Sequence, residues 1–245
     1  MNTQTQAQLY LSEQRGCTQI DYFRSYHSFN FGQYSNENKK PFGSLHVLND
    51  DTLKASHSIK MQVDGNTDVL LLPIVGGLEY KSSLGIGFLD AGQVQIFSLA
   101  NGMTYEIINP YESELINFIE IWLPNRSSIF LPKIRQIRFN LADKNKLLPL
   151  FSLNSTNLNN HQQSRGFIGK YDGRKSGIYP IEKSENGTQL TGVFVFVLSG
   201  VFEVQNRLLH ERDGLSLMNI HDSDIEFEAL SNEAILLLLE IPLKS

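Results

Sequence analysis

The chain writes one all-β passage twice, and that repeat constrains its fold more than any other feature. Residues 69–124 run from the apolar stretch Val69–Val75 through a Gly76-Gly77 turn, a half-buried strand and Asp90-Ala91-Gly92 to two further strands and a closing Ile121-Trp122-Leu123-Pro124. Val193–Pro242 returns the same order as VFVFVLSGVFEV, LHERDGLSLMNI and IEFEALSNEAILLLLEIP. Setting Gly76 on Gly200 also sets Glu79 on Glu203, and Glu120 falls on Glu240 after a short deletion. Two copies of one small β-barrel are the simplest fold for such a chain.

A chain of 245 residues has room for two such units, each with its own core. The net charge of −5 disfavours direct nucleic-acid binding, which needs a positive surface to replace phosphate counterions. No segment approaches the roughly 18 apolar residues of a membrane helix, and Met1–Gly16 lacks the basic start and apolar core of a signal peptide. Cys17 is the one cysteine and forms no internal disulfide. The expectation is a soluble, cytoplasmic protein without a membrane partner.

Taken in order, aromatic residues crowd the stretch from Tyr22 to Phe42, and Leu45–Leu48 reads as a strand ending at a turn, Asn49-Asp50-Asp51. Ile59–Val63 alternates weakly before the turn Asp64-Gly65-Asn66. Val69–Val75 is apolar nearly throughout, as in a strand covered on both faces, and Pro73 inside it predicts an edge position or a bulge. Leu115–Leu123 is the next long run, interrupted only by Asn117 and Glu120. Leu141–Leu148 predicts a short helix stopped by Pro149. Leu153–Ser164, rich in Asn, Gln and Ser, reads as a loop or linker, and Gly166–Gly177 as a basic turn region. In the second copy Ile225, Phe227 and Ala229 oppose Glu226 and Glu228, a half-exposed strand, and Ala234–Leu239 is a central one.

Two blocks carry a resemblance. Arg24–Tyr34 (RSYHSFNFGQY) and Phe42–Asp51 (FGSLHVLNDD), with Gly77–Tyr80, Asp90–Gln95 and Ile119–Leu123, resemble the N-terminal signature of pirins and bacterial pirin-like quercetinases. Gly200–Pro242 is similar to the second cupin of the bacterial members. The resemblance implies an all-β bicupin: two cupin-type barrels (double-stranded β-helices) with few short helices. The expected division is an N-terminal cupin at 1–135, a linker and crossover region at 136–175 and a C-terminal cupin at 176–245.

In that family the N-terminal cupin holds iron or another divalent transition metal with three His and one Glu, placed as His-x-His and His-x-Glu. Counted from Gly76 and from Gln95, the matching positions here are Gln62, Asp64, Tyr105 and Ile107, so every expected ligand is replaced. His57 and Glu106 are the alternative ligands, but the first needs a longer spacing and the second a one-residue slip that turns every side chain to the other face. His27 reads as a buried structural histidine and His46 as partly exposed. His161 falls in the Asn-rich loop, and His210 and His221 fall in turns. Gly169–Ser176 echoes a phosphate-binding loop without its spacing and reads as a solvated turn.

The resulting expectation is a pirin-like bicupin with a degenerate metal site, no bound metal cofactor, and a pocket lined by Gln62, Asp64 and Tyr105 that takes a small polar or aromatic molecule. The alternatives are a metal-dependent dioxygenase of quercetinase type using non-standard ligands, and a regulatory module that acts through a protein partner.

Overall fold

Alternation along each strand decides which of two cores a residue joins. The computed structural model describes residues 5–157, 160–181, 191–220 and 224–243. The first eleven strands are β1 (Gln6–Tyr10), β2 (Gly16–Ile20), β3 (Phe23–His27), β4 (Val47–Leu53), β5 (Ser58–Gln62), β6 (Thr67–Val75), β7 (Leu78–Ser82), β8 (Gly85–Leu89), β9 (Gln93–Leu99), β10 (Thr104–Ile108) and β11 (Ile116–Pro124). Then come β12 (Lys133–Arg138), β13 (Lys146–Asn157), β14 (Asn160–Tyr171), β15 (Ser176–Pro180), β16 (Thr191–Ser199), β17 (Phe202–Val204), β18 (Arg207–Leu209), β19 (Gly214–Met218), β20 (Asp224–Ala229) and β21 (Ala234–Pro242). Among the described residues the only helical turn is Ser12–Gln14.

The strands form two barrels of matching topology. In the first, the sheet β12-β9-β6-β11-β4-β3-β2 packs on β5-β10-β7-β8; in the second, β1-β19-β16-β21-β14-β13 packs on β15-β20-β17-β18. The edge strands are exchanged: β1, which opens the chain, pairs with β19, whereas β12, which follows the first copy, pairs with β9.

The apolar runs are central strands because both their faces are covered. Val69 and Leu71 point into the first barrel, while Leu70 and Leu72 point into a core shared between the barrels. Leu236 and Leu238 fill the second barrel, and Leu237, Leu239 and Ile241 meet the shared core from the other side. Burying each leucine contributes about 1.5–3 kcal/mol, so a strand with no exposed face needs no polar residue.

Pro73 lies on a central strand, where the register shifts between Asn117 and Phe118, so the bulge and not the edge is realised. The second copy bulges at the matching place without a proline. Both turns that follow use glycine in the left-handed region, Gly76 at φ +71° and Gly200 at φ +80°.

Several expectations are corrected. Asn49-Asp50-Asp51 is not a turn; it is the middle of β4, where its polar groups find places inside the barrel and at its rim. Leu141–Leu148 holds no helix, and Leu153–Asn157 and Asn160–Ser164 are strand and not loop. Lys146–Asn157 and Asn160–Tyr171 pair in antiparallel register with a shift at Pro149, and β14 lies beside β21 in the second sheet. The proline therefore marks a bulge. Gly166–Tyr171 likewise continues β14 and is not part of a turn. With β1 and the hairpin both in the second sheet, strand pairing does not follow the divisions at 135/136 and 175/176. His161 is on β14, and His221 lies outside the described residues.

The repeat also aligns differently at its end. Trp122 pairs with Val69 and Glu120 with Leu71, whereas Glu240 pairs with Val193 and Leu238 with Val195. On the shift that sets Gly76 on Gly200, Glu240 therefore matches Trp122, and Glu120 matches Leu238. Matching glutamate to glutamate had misplaced the register by two residues. That error is silent in sequence because a two-residue slip keeps every side chain on its own face.

Candidate functional site

The mouth of the first barrel opens into a cavity of about 550 Å³. Its wall is built from β4, β5 and β11 through Val47, Met61 and Trp122, and from the loop after β3 through Asn30 and Phe31. A bridge between Phe31 and Tyr34 braces that loop, and Asn30 Oδ1 accepts the Asn36 backbone N–H at 2.8 Å. Phe31 stands edge-on to Trp122, with ring centroids 5.5 Å apart at 88°. The rim adds His46, Gln62 and the bend Asp64-Gly65-Asn66.

The four positions matched to metal ligands do not converge. Gln62 pairs with Thr104, and Tyr105 with Met61, so Gln62 and Tyr105 are on opposite faces of their sheet. Gln62 is exposed and donates from Nε2 to the Gly102 carbonyl at 3.0 Å; Asp64 is exposed at the rim. Tyr105 and Ile107 are wholly buried, and Ile107 offers only hydrocarbon. The Tyr105 hydroxyl donates to Glu120 Oε1 and accepts the Trp122 Nε1–H at 3.0 Å. A transition-metal site needs several donor atoms meeting at one point. This set supplies two at the surface, one committed to an internal bond and one missing, so these residues do not fit the metal.

The alternative ligands do not complete the set either. His57 stacks on Tyr22 at 5.0 Å and holds the Ala55 carbonyl through Nδ1 at 2.7 Å. Glu106 accepts the Ser58 hydroxyl at 2.6 Å. Neither lines the cavity. His46, partly exposed as expected, does line it.

Beneath Trp122 lies a buried polar layer that the sequence reading missed. Glu120, Asn49 and His27 pair side by side across β11, β4 and β3, with Asp51 and Ser25 paired next to them. His27 is fully buried, and burial lowers its pKa below the ordinary imidazole value. The neutral ring sits between Asn49 Oδ1 at 2.9 Å and the Thr18 hydroxyl at 2.8 Å. The Ser25 hydroxyl meets His27 Nδ1 at 3.3 Å. Among the described residues both Asp51 oxygens and Glu120 Oε2 have no hydrogen-bond partner. Burial raises the Glu120 pKa to about 7, against the bond from Tyr105. Burial, and then the neighbouring Glu120 charge, raises that of Asp51 well above the usual carboxylate range. Asp50, on the opposite face of β4, takes the available cations: Arg15 at 3.1 Å and Arg212 at 3.4 Å. The signal in sequence was Glu120 interrupting an apolar run, together with Asp51 two residues after Asn49, but only strand pairing brings them together.

No family model matches the chain. It is 23% identical over 222 residues to a quercetin 2,3-dioxygenase of Escherichia coli strain K12, covering 88% of this chain and 94% of that one. A putative quercetin 2,3-dioxygenase of Pasteurella multocida is 24% identical, covering 89% and 91%. Among solved structures, YhhW from Escherichia coli superposes with a TM-score of 0.83 at 22% identity over 98% of this chain and 99% of that one. The same bacterial pirin in complex with nickel(II) gives 0.82, at 22% identity over 98% and 100%. In sequence and in fold, this chain is similar to the pirin-like bicupins.

Proposed function

We propose that this chain is a ligand-binding bicupin whose first barrel takes one small molecule at its mouth, without a metal at the positions the pirin-like quercetinases use. The observation carrying this reading is the mismatch between cavity and donors. The space and its aromatic wall are present, while Gln62, Asp64, Tyr105 and Ile107 offer no common point for a cation. A cavity of this size is in the range that encloses small ligands. Metal analysis of the purified protein tests the reading, with less than a tenth of an equivalent of iron, nickel or zinc expected. Stoichiometric metal that is lost in Asp64→Ala would overturn it.

A second reading has support from the quercetin 2,3-dioxygenase names of the relatives. It makes the chain a dioxygenase of that type with ligands drawn from elsewhere. Oxygen uptake with a flavonol distinguishes the two, and the ligand-binding reading expects no uptake above the protein-free rate.

A further inference from the structure

The mouth cavity is electrostatically one-sided. Among the described residues Asp64 is the only Asp, Glu, Lys or Arg on its wall, and its carboxylate has no ion-pair partner there. The remaining described polar groups, Asn30, Gln62, Asn66 and Thr67, are neutral, and His46 is the one imidazole among them. Behind Trp122 lie Glu120 and Asp51, two buried carboxyls with no ion pair among the described residues, while Arg15 and Arg212 are engaged by Asp50. Lys39 does not offset them, since its Nζ is over the Tyr10 ring at 5.0 Å. Any charge these carboxyls carry is therefore negative and weakly screened, and a cleft of one sign with low-dielectric walls focuses its field.

The aromatic pair adds a second term of the same sign. Trp122 turns its Nε1–H to Tyr105 and lines the cavity, with Phe31 edge-on beside it. An aromatic face attracts a cation through its quadrupole, tryptophan most strongly. Met61 and Val47 complete an apolar wall suited to a flat ring.

Resting on the ligand-binding reading above, the geometry points to an aromatic ligand that carries a positive charge, a protonated or quaternary ring nitrogen held between Asp64 and the Phe31–Trp122 pair. Anionic aromatics, including ionised phenols and carboxylates, are excluded by the same charges.

The chain has a single tryptophan, so its indole N–H gives one nuclear magnetic resonance signal that belongs to the cavity wall. Three bicyclic probes of matched shape are titrated at pH 8, above the ordinary imidazole range: N-methylisoquinolinium, isoquinoline and 2-naphthoate. The expected result is saturable movement of the indole signal with the cation, at least tenfold tighter than with the neutral ring, and none with the anion. Asp64→Asn, at an exposed rim position, should reduce the preference for the cation about fivefold while the signal still moves. Equal affinity for all three probes, or a preference for the anion, would overturn the charge assignment and leave the ligand-binding reading standing. No movement with any probe would overturn both.

Discussion

The two barrels share a topology but invert their polar and apolar layers. At the mouth of the first, Val47, Met61 and Trp122 wall a cavity. By strand pairing, the same three places in the second are Arg165, Tyr179 and Glu240. There the three side chains bond to one another. Arg165 Nη2 meets both Glu240 oxygens at 3.0 Å, and the Tyr179 hydroxyl donates to Glu240 Oε2. One layer further in, the relation reverses. The first barrel has Asn49, Asp51, Tyr105 and Glu120, where the second has Phe167, Gly169, Ile225 and Leu238. One glutamate holds an arginine and a tyrosine; the other lies beneath a cavity and holds a tyrosine alone among the described residues. The fold tolerates both because each layer faces only its own interior, while the shared core between barrels stays apolar on either side.

The largest expected effect comes from breaking the Arg165–Glu240 pair. Glu240→Ala leaves Arg165 and Tyr179 without their carboxylate and should cost about 3–5 kcal/mol, read as a lower urea midpoint. A loss below about 1 kcal/mol would mean that the ion pair does not hold the second barrel together.

The uncompensated glutamate makes a pH prediction of opposite character. Its folded pKa, about 7, is above the ordinary glutamate value of 4.5, so the folded chain binds this proton more tightly than the unfolded one. The associated stability is fully present below the unfolded pKa and is lost as pH rises through the folded one, about 3 kcal/mol in all by linkage. The urea midpoint of the native chain should therefore fall relative to that of Glu120→Gln between pH 4.5 and 8. Parallel curves for the two proteins would refute the assignment.

Tyr105→Phe removes the donor to Glu120 and the acceptor of the Trp122 N–H together, and is expected to cost about 1–3 kcal/mol in the same assay. The matching test in the second barrel is Tyr179→Phe, where the arginine still holds the carboxylate, so the loss should be smaller. The reverse order would remove the distinction drawn between the layers. Smallest is Gln62→Ala, which deletes one solvent-exposed bond to Gly102 and should shift stability by less than about 0.5 kcal/mol. A larger loss would place Gln62 in the barrel's support and not at its rim.

Much of this arrangement was legible in the chain, because periodicity is local. The repeat, the doubly covered strands and the glycine turns at Gly76 and Gly200 follow from runs of residues whose only stable placement is between two packed faces. Where short-range signals compete, sequence misled. Asn49-Asp50-Asp51 has the composition of a turn yet runs as strand, since His27 receives Asn49 and two arginines receive Asp50, all from elsewhere in the chain. Pro149 has the look of a helix stop and is a bulge.

The sequence by itself determined that there are two barrels, that the metal-ligand pattern is absent, and that Trp122 closes an apolar strand. Only the tertiary structure decided that Gln62 and Tyr105 face apart, that Glu120 matches Leu238, and that Trp122 borders a cavity where Glu240 holds Arg165. The physical reason is that facing is set by which residue pairs with which across neighbouring strands. A slip of two in that pairing leaves every local pattern intact while moving a charge from one layer of the barrel to the next.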